Sequence, residues 1–208
     1  MLSQAPELEQ RLATGERDLF GQLFDLHRPR LWRFVHFRLD ARVRGRIDPE
    51  DVIQEVYLDA HQRLNNFLEG KFPSLFLWLR LVAAQTLSNT HRSHLGVQAR
   101  TVLKERSLPP GIYLPDASVS LSFHFVDKLA SPSHHLSRNE LVAKMHELMQ
   151  KLKTSDREII ALRHFEELTN QEVATLLEIQ PKAASIRYVR ALERLQAAMA
   201  QFPEFELP

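Results

Sequence analysis

The feature that most limits how this chain can fold is the break in its middle. Pro109-Pro110-Gly111, Pro115 and Ser131-Pro132-Ser133 fall between two long stretches with helical period. Proline fixes φ and removes a backbone donor, so one uninterrupted helical body cannot cross those positions. The pattern predicts a helical domain over 7–96, a linker over 97–136 and a second helical domain over 137–202. Leu121, Phe123 and Phe125 alternate with polar residues, which is compatible with a short extended segment inside the linker. Only six glycines occur in 208 residues. The expected class is all-α: two small helical domains joined by a flexible linker.

Within the first block, Leu19, Leu23 and Leu26 share a helical face, as do Leu31, Phe34 and Val35. Pro29 lies between the two sets and is expected to kink or interrupt the helix. The next helix has a clear start. Asp48 can cap it, Pro49 suits its first position, and Glu50 and Asp51 favour the positive end of the helix dipole. Its apolar stripe is Val52, Ile53, Val56, Tyr57, Ala60 and Leu64. A further helix buries Leu75, Leu79, Val82, Ala83, Thr86 and Leu87, and is expected to present Trp78, Gln85, Ser88, Asn89 and Arg92 on its other side.

In the second block, Leu141, Met145, Leu148 and Leu152 repeat at helical spacing. Ser155-Asp156-Arg157-Glu158 and Thr169-Asn170-Gln171-Glu172 each fit a capping box. Pro181 opens another helix after a break at Glu178-Ile179-Gln180. The stretch from Leu168 to Leu195 therefore reads as a short helix, a tight turn and a longer helix. Val173, Ala174 and Leu177 face inward in the first, and Ala184, Tyr188, Ala191 and Leu195 in the second. Lys182, Ser185, Arg187 and Arg190 then point outward, as in a helix-turn-helix whose second helix enters a major groove. An ordinary helical hairpin with a basic surface has the same pattern.

A net charge of +1 does not by itself suggest a nucleic-acid binder. The distribution is more telling. Seven arginines lie within residues 28–46, five acids and no Lys or Arg within 48–59, and four bases against one acid within 182–194. Basic patches are the electrostatic footprint of phosphate contact, although solvated helix faces also carry charge runs.

These residues resemble a known family. Ser155-Asp156-Arg157-Glu158-Ile159-Ile160, continued through Leu168-Thr169-Asn170-Gln171-Glu172-Val173-Ala174, looks like the start of sigma-70 region four. Ala184-Ser185-Ile186-Arg187-Tyr188-Val189-Arg190 is similar to its recognition helix. Asp48-Pro49-Glu50-Asp51-Val52-Ile53-Gln54-Glu55-Val56-Tyr57 resembles the polymerase-binding segment of region two, and residues 72–92 resemble the segment that opens and reads the downstream promoter element. The order and the intervening linker match a small RNA polymerase sigma factor of the extracytoplasmic-function (ECF) type. One departure is Glu178, which stands where the family usually places glycine.

The resemblance implies binding to core RNA polymerase through Asp48, Glu50, Asp51, Gln54 and Glu55. It implies that the melted non-template strand meets Lys71, Phe72, Trp78, Arg80, Asn89 and Arg92, with bases stacked on the aromatics. It implies that duplex promoter DNA meets Lys182, Ser185, Arg187 and Arg190. An anti-sigma factor is a compatible partner. A rival reading is a helix-turn-helix transcription regulator that does not bind the polymerase core and uses its first block for sensing or dimerisation. An enzyme is not expected, since there is no phosphate-binding glycine loop, nucleophile motif or HExxH. No cofactor or metal is expected. Zero cysteines exclude disulfides and thiolate metal sites. No apolar run approaches the ~20 residues that span a bilayer, and no signal peptide is read, so the expected location is the cytoplasm without membrane insertion.

Overall fold

A computed structural model of the chain describes residues 5–39, 45–70, 72–95, 117–129 and 138–201. Every regular element among the described residues is helical. The chain divides into two compact units, 1–114 and 115–208.

The first unit holds α1 (Ala5–Ala13), a single 3-10 turn (Arg17–Leu19), α2 (Phe20–Arg38), α3 (Pro49–Gln62), α4 (Leu64–Leu68) and α5 (Leu75–Leu95). α3 starts as its sequence dictates. Asp48 is extended and accepts a hydrogen bond from the Glu50 amide at 2.9 Å, and Pro49 occupies the first turn. α2, α3 and α5 pack on one another through Leu23, Phe24, Leu31, Phe34, Val52, Ile53, Val56, Leu79, Val82 and Ala83, all buried. Of the two outcomes expected at Pro29, an interruption does not occur, since α2 runs through it. Pro29 lies on the exposed face, as does Asp25, whose carbonyl is the one left without its helical donor and can be solvated. Burial of Leu23, His27 and Leu31 on the opposite face holds the helix across it.

α5 is the larger correction. Leu75 to Arg80 are buried without a gap, and Ser88 and His91 are buried further on. The helix packs against both α2 and α3, so it has no broad solvent side over its first two turns. The basic run of residues 28–46 is also partly consumed by structure. Arg38 is buried, Arg28 pairs with Glu50 at 2.6 Å, and the Arg30 guanidinium sits 3.5 Å from the Phe76 ring centroid. Residues 40–44 of that run lie outside the described residues.

The second unit holds α6 (Ala117–Leu129), α7 (Arg138–Lys151), α8 (Thr154–Ile160), a π turn (Ala161–Phe165), α9 (Asn170–Leu176) and α10 (Pro181–Met199). α6 replaces the extended segment expected around Leu121, Phe123 and Phe125. It buries Leu121, Ser122 and Val126 and packs on α7 and α8. The alternation coexists with a helical spacing through Leu121, Phe125 and Val126, and tertiary packing decides between them. The rest of the expected linker, 97–116 and 130–136, lies outside the described residues.

The Thr169 capping box forms as expected, with both reciprocal hydrogen bonds. The Ser155 box does not. α8 begins at Thr154, its cap position is Lys153, and no side chain caps it. Asp156 and Arg157 turn inward instead. Both Asp156 carboxylate oxygens accept from Arg194 Nη1 of α10 at 2.9 Å, and Arg157 donates to the Met149 and Leu152 carbonyls at 3.0 and 2.6 Å. The pattern of a serine followed three residues later by glutamate does not say which residue is the cap, and the inward pull of these two side chains sets it two positions earlier.

Candidate functional site

The acidic residues of α3 fall into two sets. Glu50 is engaged by Arg28, and that hydrogen bond, followed by the charge itself, raises the Arg28 pKa. Asp59 accepts from Arg63 and from the Thr86 hydroxyl, each at 3.0 Å. Asp51 and Glu55 are exposed and have no ion pair among the described residues. Gln54 is exposed between them, and Asp48 is occupied as the cap. Beside this stripe a shallow groove runs between α2 and α3, lined by Gly21, Phe24, Arg28, Ile53, Tyr57 and Leu58. Leu58 is 58% exposed and stands one turn beyond Gln54 and Glu55. Helical periodicity alone does not single it out. The available signal was that Leu58 is apolar but out of phase with the Val52/Ile53/Val56/Ala60 stripe.

The residues expected to hold a melted strand are not brought together as a set. Trp78 is 2% exposed and packs on Phe67 at 5.6 Å between ring centroids. Arg80 is 4% exposed, with its guanidinium 4.7 Å from the Phe34 ring centroid. Both are core residues here, because α5 is enclosed on that side by α2 and α4. Phe72 is half-buried, and Asn89 and Arg92 are exposed, with Arg92 donating to the Asn89 side chain. Lys71 lies outside the described residues. Gly70, with φ +73°, turns the chain out of α4 ahead of this loop.

α9, the four residues after it and α10 form a helix-turn-helix. Ala174 of α9 and Ala184 and Ala191 of α10 are all buried, and their small size permits close approach of the helices. Asn170 Nδ2 donates to the Pro181 carbonyl at 2.6 Å and ties the start of α9 to the first turn of α10. Tyr188 is only half-buried, with the Arg163 guanidinium 5.5 Å from its ring centroid. In the turn, Ile179 N–H reaches the Ala174 carbonyl at 3.0 Å, and Glu178 sits at φ +53°. A left-handed non-glycine residue costs about 1–2 kcal/mol, of which glycine's greater chain entropy returns about 0.5–1 kcal/mol. Glu178→Gly is therefore expected to raise the stability of the second unit by roughly 0.5–1 kcal/mol in denaturant unfolding. A loss of stability would contradict the strained turn.

Lys182, Ser185 and Arg190 are exposed on α10, as expected, while Arg187 is half-buried. Two further residues share their face. Ile186 is 43% exposed and Val189 52%. Like Leu58, they are apolar residues out of phase with the buried stripe.

Known proteins resemble this chain throughout its length. The family model "Sigma-70, region 4" matches residues 143–195, from the first turns of α7 into α10. The RNA polymerase sigma-H factor of Pseudomonas aeruginosa is 26% identical over 200 residues, covering 94% of each chain. The RNA polymerase sigma factor CarQ of Myxococcus xanthus is 25% identical over 192 residues, covering 92% of this chain and 95% of the other. A solved structure of CnrH in complex with the cytosolic domain of CnrY shares the fold, with a TM-score of 0.50, 20% identity and coverage of 94% and 96%. Fold and surfaces together define a two-unit helical protein with a helix-turn-helix in its second unit and an acidic, grooved helix pair in its first. Residues of the second unit match the sigma-70 region 4 model, and over most of its length the chain is similar to RNA polymerase sigma factors, ECF sigma factors among them.

Proposed function

We infer that this chain is an alternative sigma factor, which binds core RNA polymerase and directs it to promoters. The observation that carries this reading is the pairing, in family order, of an acidic grooved surface on α3 with an exposed basic face on the second helix of a helix-turn-helix. Asp51, Gln54 and Glu55 meet the polymerase, with Glu50 and Asp48 shaping the start of the helix. Lys182, Ser185 and Arg190 meet duplex DNA upstream, and Arg187 flanks them. Phe72, Asn89 and Arg92 meet the separated strand. Trp78 and Arg80 support that surface from within the core. The bond-making chemistry belongs to the polymerase, so the role is non-enzymatic and its place is the cytoplasm. No helix among the described residues is long and apolar enough to cross a membrane. The association of CnrH with CnrY supports a regulatory protein partner for this chain as well.

The reading is tested by titrating fluorescent full-length protein with core polymerase. Saturable binding is expected. Asp51→Lys with Glu55→Lys should slow association about fivefold at low salt, because complementary charge acts mainly on encounter. Helix content should not change. Absence of core binding by the parent would leave the helix-turn-helix regulator without polymerase binding as the function.

A further inference from the structure

We propose that Ile186 and Val189 read thymine methyl groups in the upstream promoter element, an assignment that rests on the duplex-binding role given to α10. The two side chains lie on the outward face of this helix. At 100° per residue, Lys182, Ile186 and Val189 fall within about 60° of one another, opposite Ala184 and Ala191. Ser185 and Arg190 flank them. Packing does not explain the pair, since about half of each side chain is exposed while the core side of α10 is complete with Ala184, Ala191, Leu195 and Ala198. Helix formation does not explain it either, because β-branched residues are poorer helix formers than the alanines around them.

The surroundings identify the partner. The face begins at the positive end of a 19-residue helix and carries Lys182 and Arg190, with no acid in the helix before Glu193. A polyanion fits this setting better than an apolar protein surface does. Within a major groove, the apolar feature of a base edge is the C5 methyl of thymine. Ile186 and Val189 are three residues apart, a rise of about 4.5 Å. That is close to the ~3.4 Å spacing of base pairs, so the two can address neighbouring pairs. Lys182 and Arg190 then hold phosphates and set the register, while the methyl contacts add preference.

The experiment uses holoenzyme reconstituted from core polymerase and the full chain. A duplex library first selects the preferred upstream element. Each thymine in it, on either strand, is then replaced by uracil, which removes only the methyl group. At one or more positions the replacement should weaken parent binding about fourfold, as expected for one buried methyl. At that position it should have no further effect on Ile186→Ala or Val189→Ala holoenzyme. Both residues are exposed, so these variants should keep the parent fold, which circular dichroism checks. The proposal is overturned if uracil is silent throughout, if its cost persists in both variants, or if the selected element lacks thymine. Full promoter affinity in the double alanine variant also overturns it and leaves the face to a protein partner. Loss of all upstream preference in the parent would instead remove the duplex-binding role of α10 itself.

Discussion

Arg157→Met should lower the unfolding temperature of the second unit by roughly 15 °C while leaving the first unit unchanged. Arg157 is buried and donates to the Met149 and Leu152 carbonyls at the end of α7 and to the Thr154 hydroxyl at 3.3 Å. The last carbonyls of a helix have no donor within it, so a buried guanidinium there satisfies groups that water cannot reach. Hydrogen bonds to charged groups contribute about 1.5–3 kcal/mol each, and methionine fills similar space without supplying a donor. The expected loss is about 3 kcal/mol, a large share of the stability of a unit this size. The protein carries its own reporter for the contrast. Both tryptophans, Trp32 and Trp78, lie in the first unit. Tryptophan emission should therefore melt at the parent temperature while the far-ultraviolet signal loses part of its amplitude earlier. A single unshifted transition in both signals would show that Arg157 does not hold α7 and α8 together.

The sequence made the start of α3, the Thr169 capping box, Pro181 at the head of α10 and the Ala184/Ala191/Leu195 stripe legible, because each is a local pattern with a local cause. It misled where burial comes from elsewhere in the chain. Trp78 and Arg80 look like the outer face of an amphipathic helix, but Phe67 of α4 and Phe34 of α2 cover them. α6 was hidden because a period of two and a helical period fit the same few apolar residues, and α7 selects the helix. The surfaces show a common lesson. Leu58, Ile186 and Val189 are each an apolar residue outside the phase of its own helix's core stripe, and each is exposed. Reading only the in-phase residues finds the core. The out-of-phase ones are the exposed apolar positions at which the proposed interfaces can be tested.

Leu58 gives that lesson its sharpest test. It is exposed at the edge of the α2–α3 groove, beside Gln54 and within reach of the stripe formed by Asp51 and Glu55. Interfaces of this kind take most of their affinity from a few apolar anchors inside a charged rim. Burying the remaining exposed part of a leucine is worth about 1.5–2 kcal/mol, so Leu58→Ala should weaken core binding about tenfold to thirtyfold. The loss should appear in the dissociation rate and persist at high salt. That behaviour separates it from the Asp51 and Glu55 reversals, whose effect lies in association and fades with screening. Since Leu58 makes little contact with the core of the first unit, thermal stability should stay within about 0.5 kcal/mol of the parent. Binding to core polymerase at two salt concentrations, followed in both phases, gives the answer. A Leu58→Ala protein with parental dissociation would move the anchor away from this groove, and an equal loss of stability would mean that Leu58 supports the fold rather than the interface.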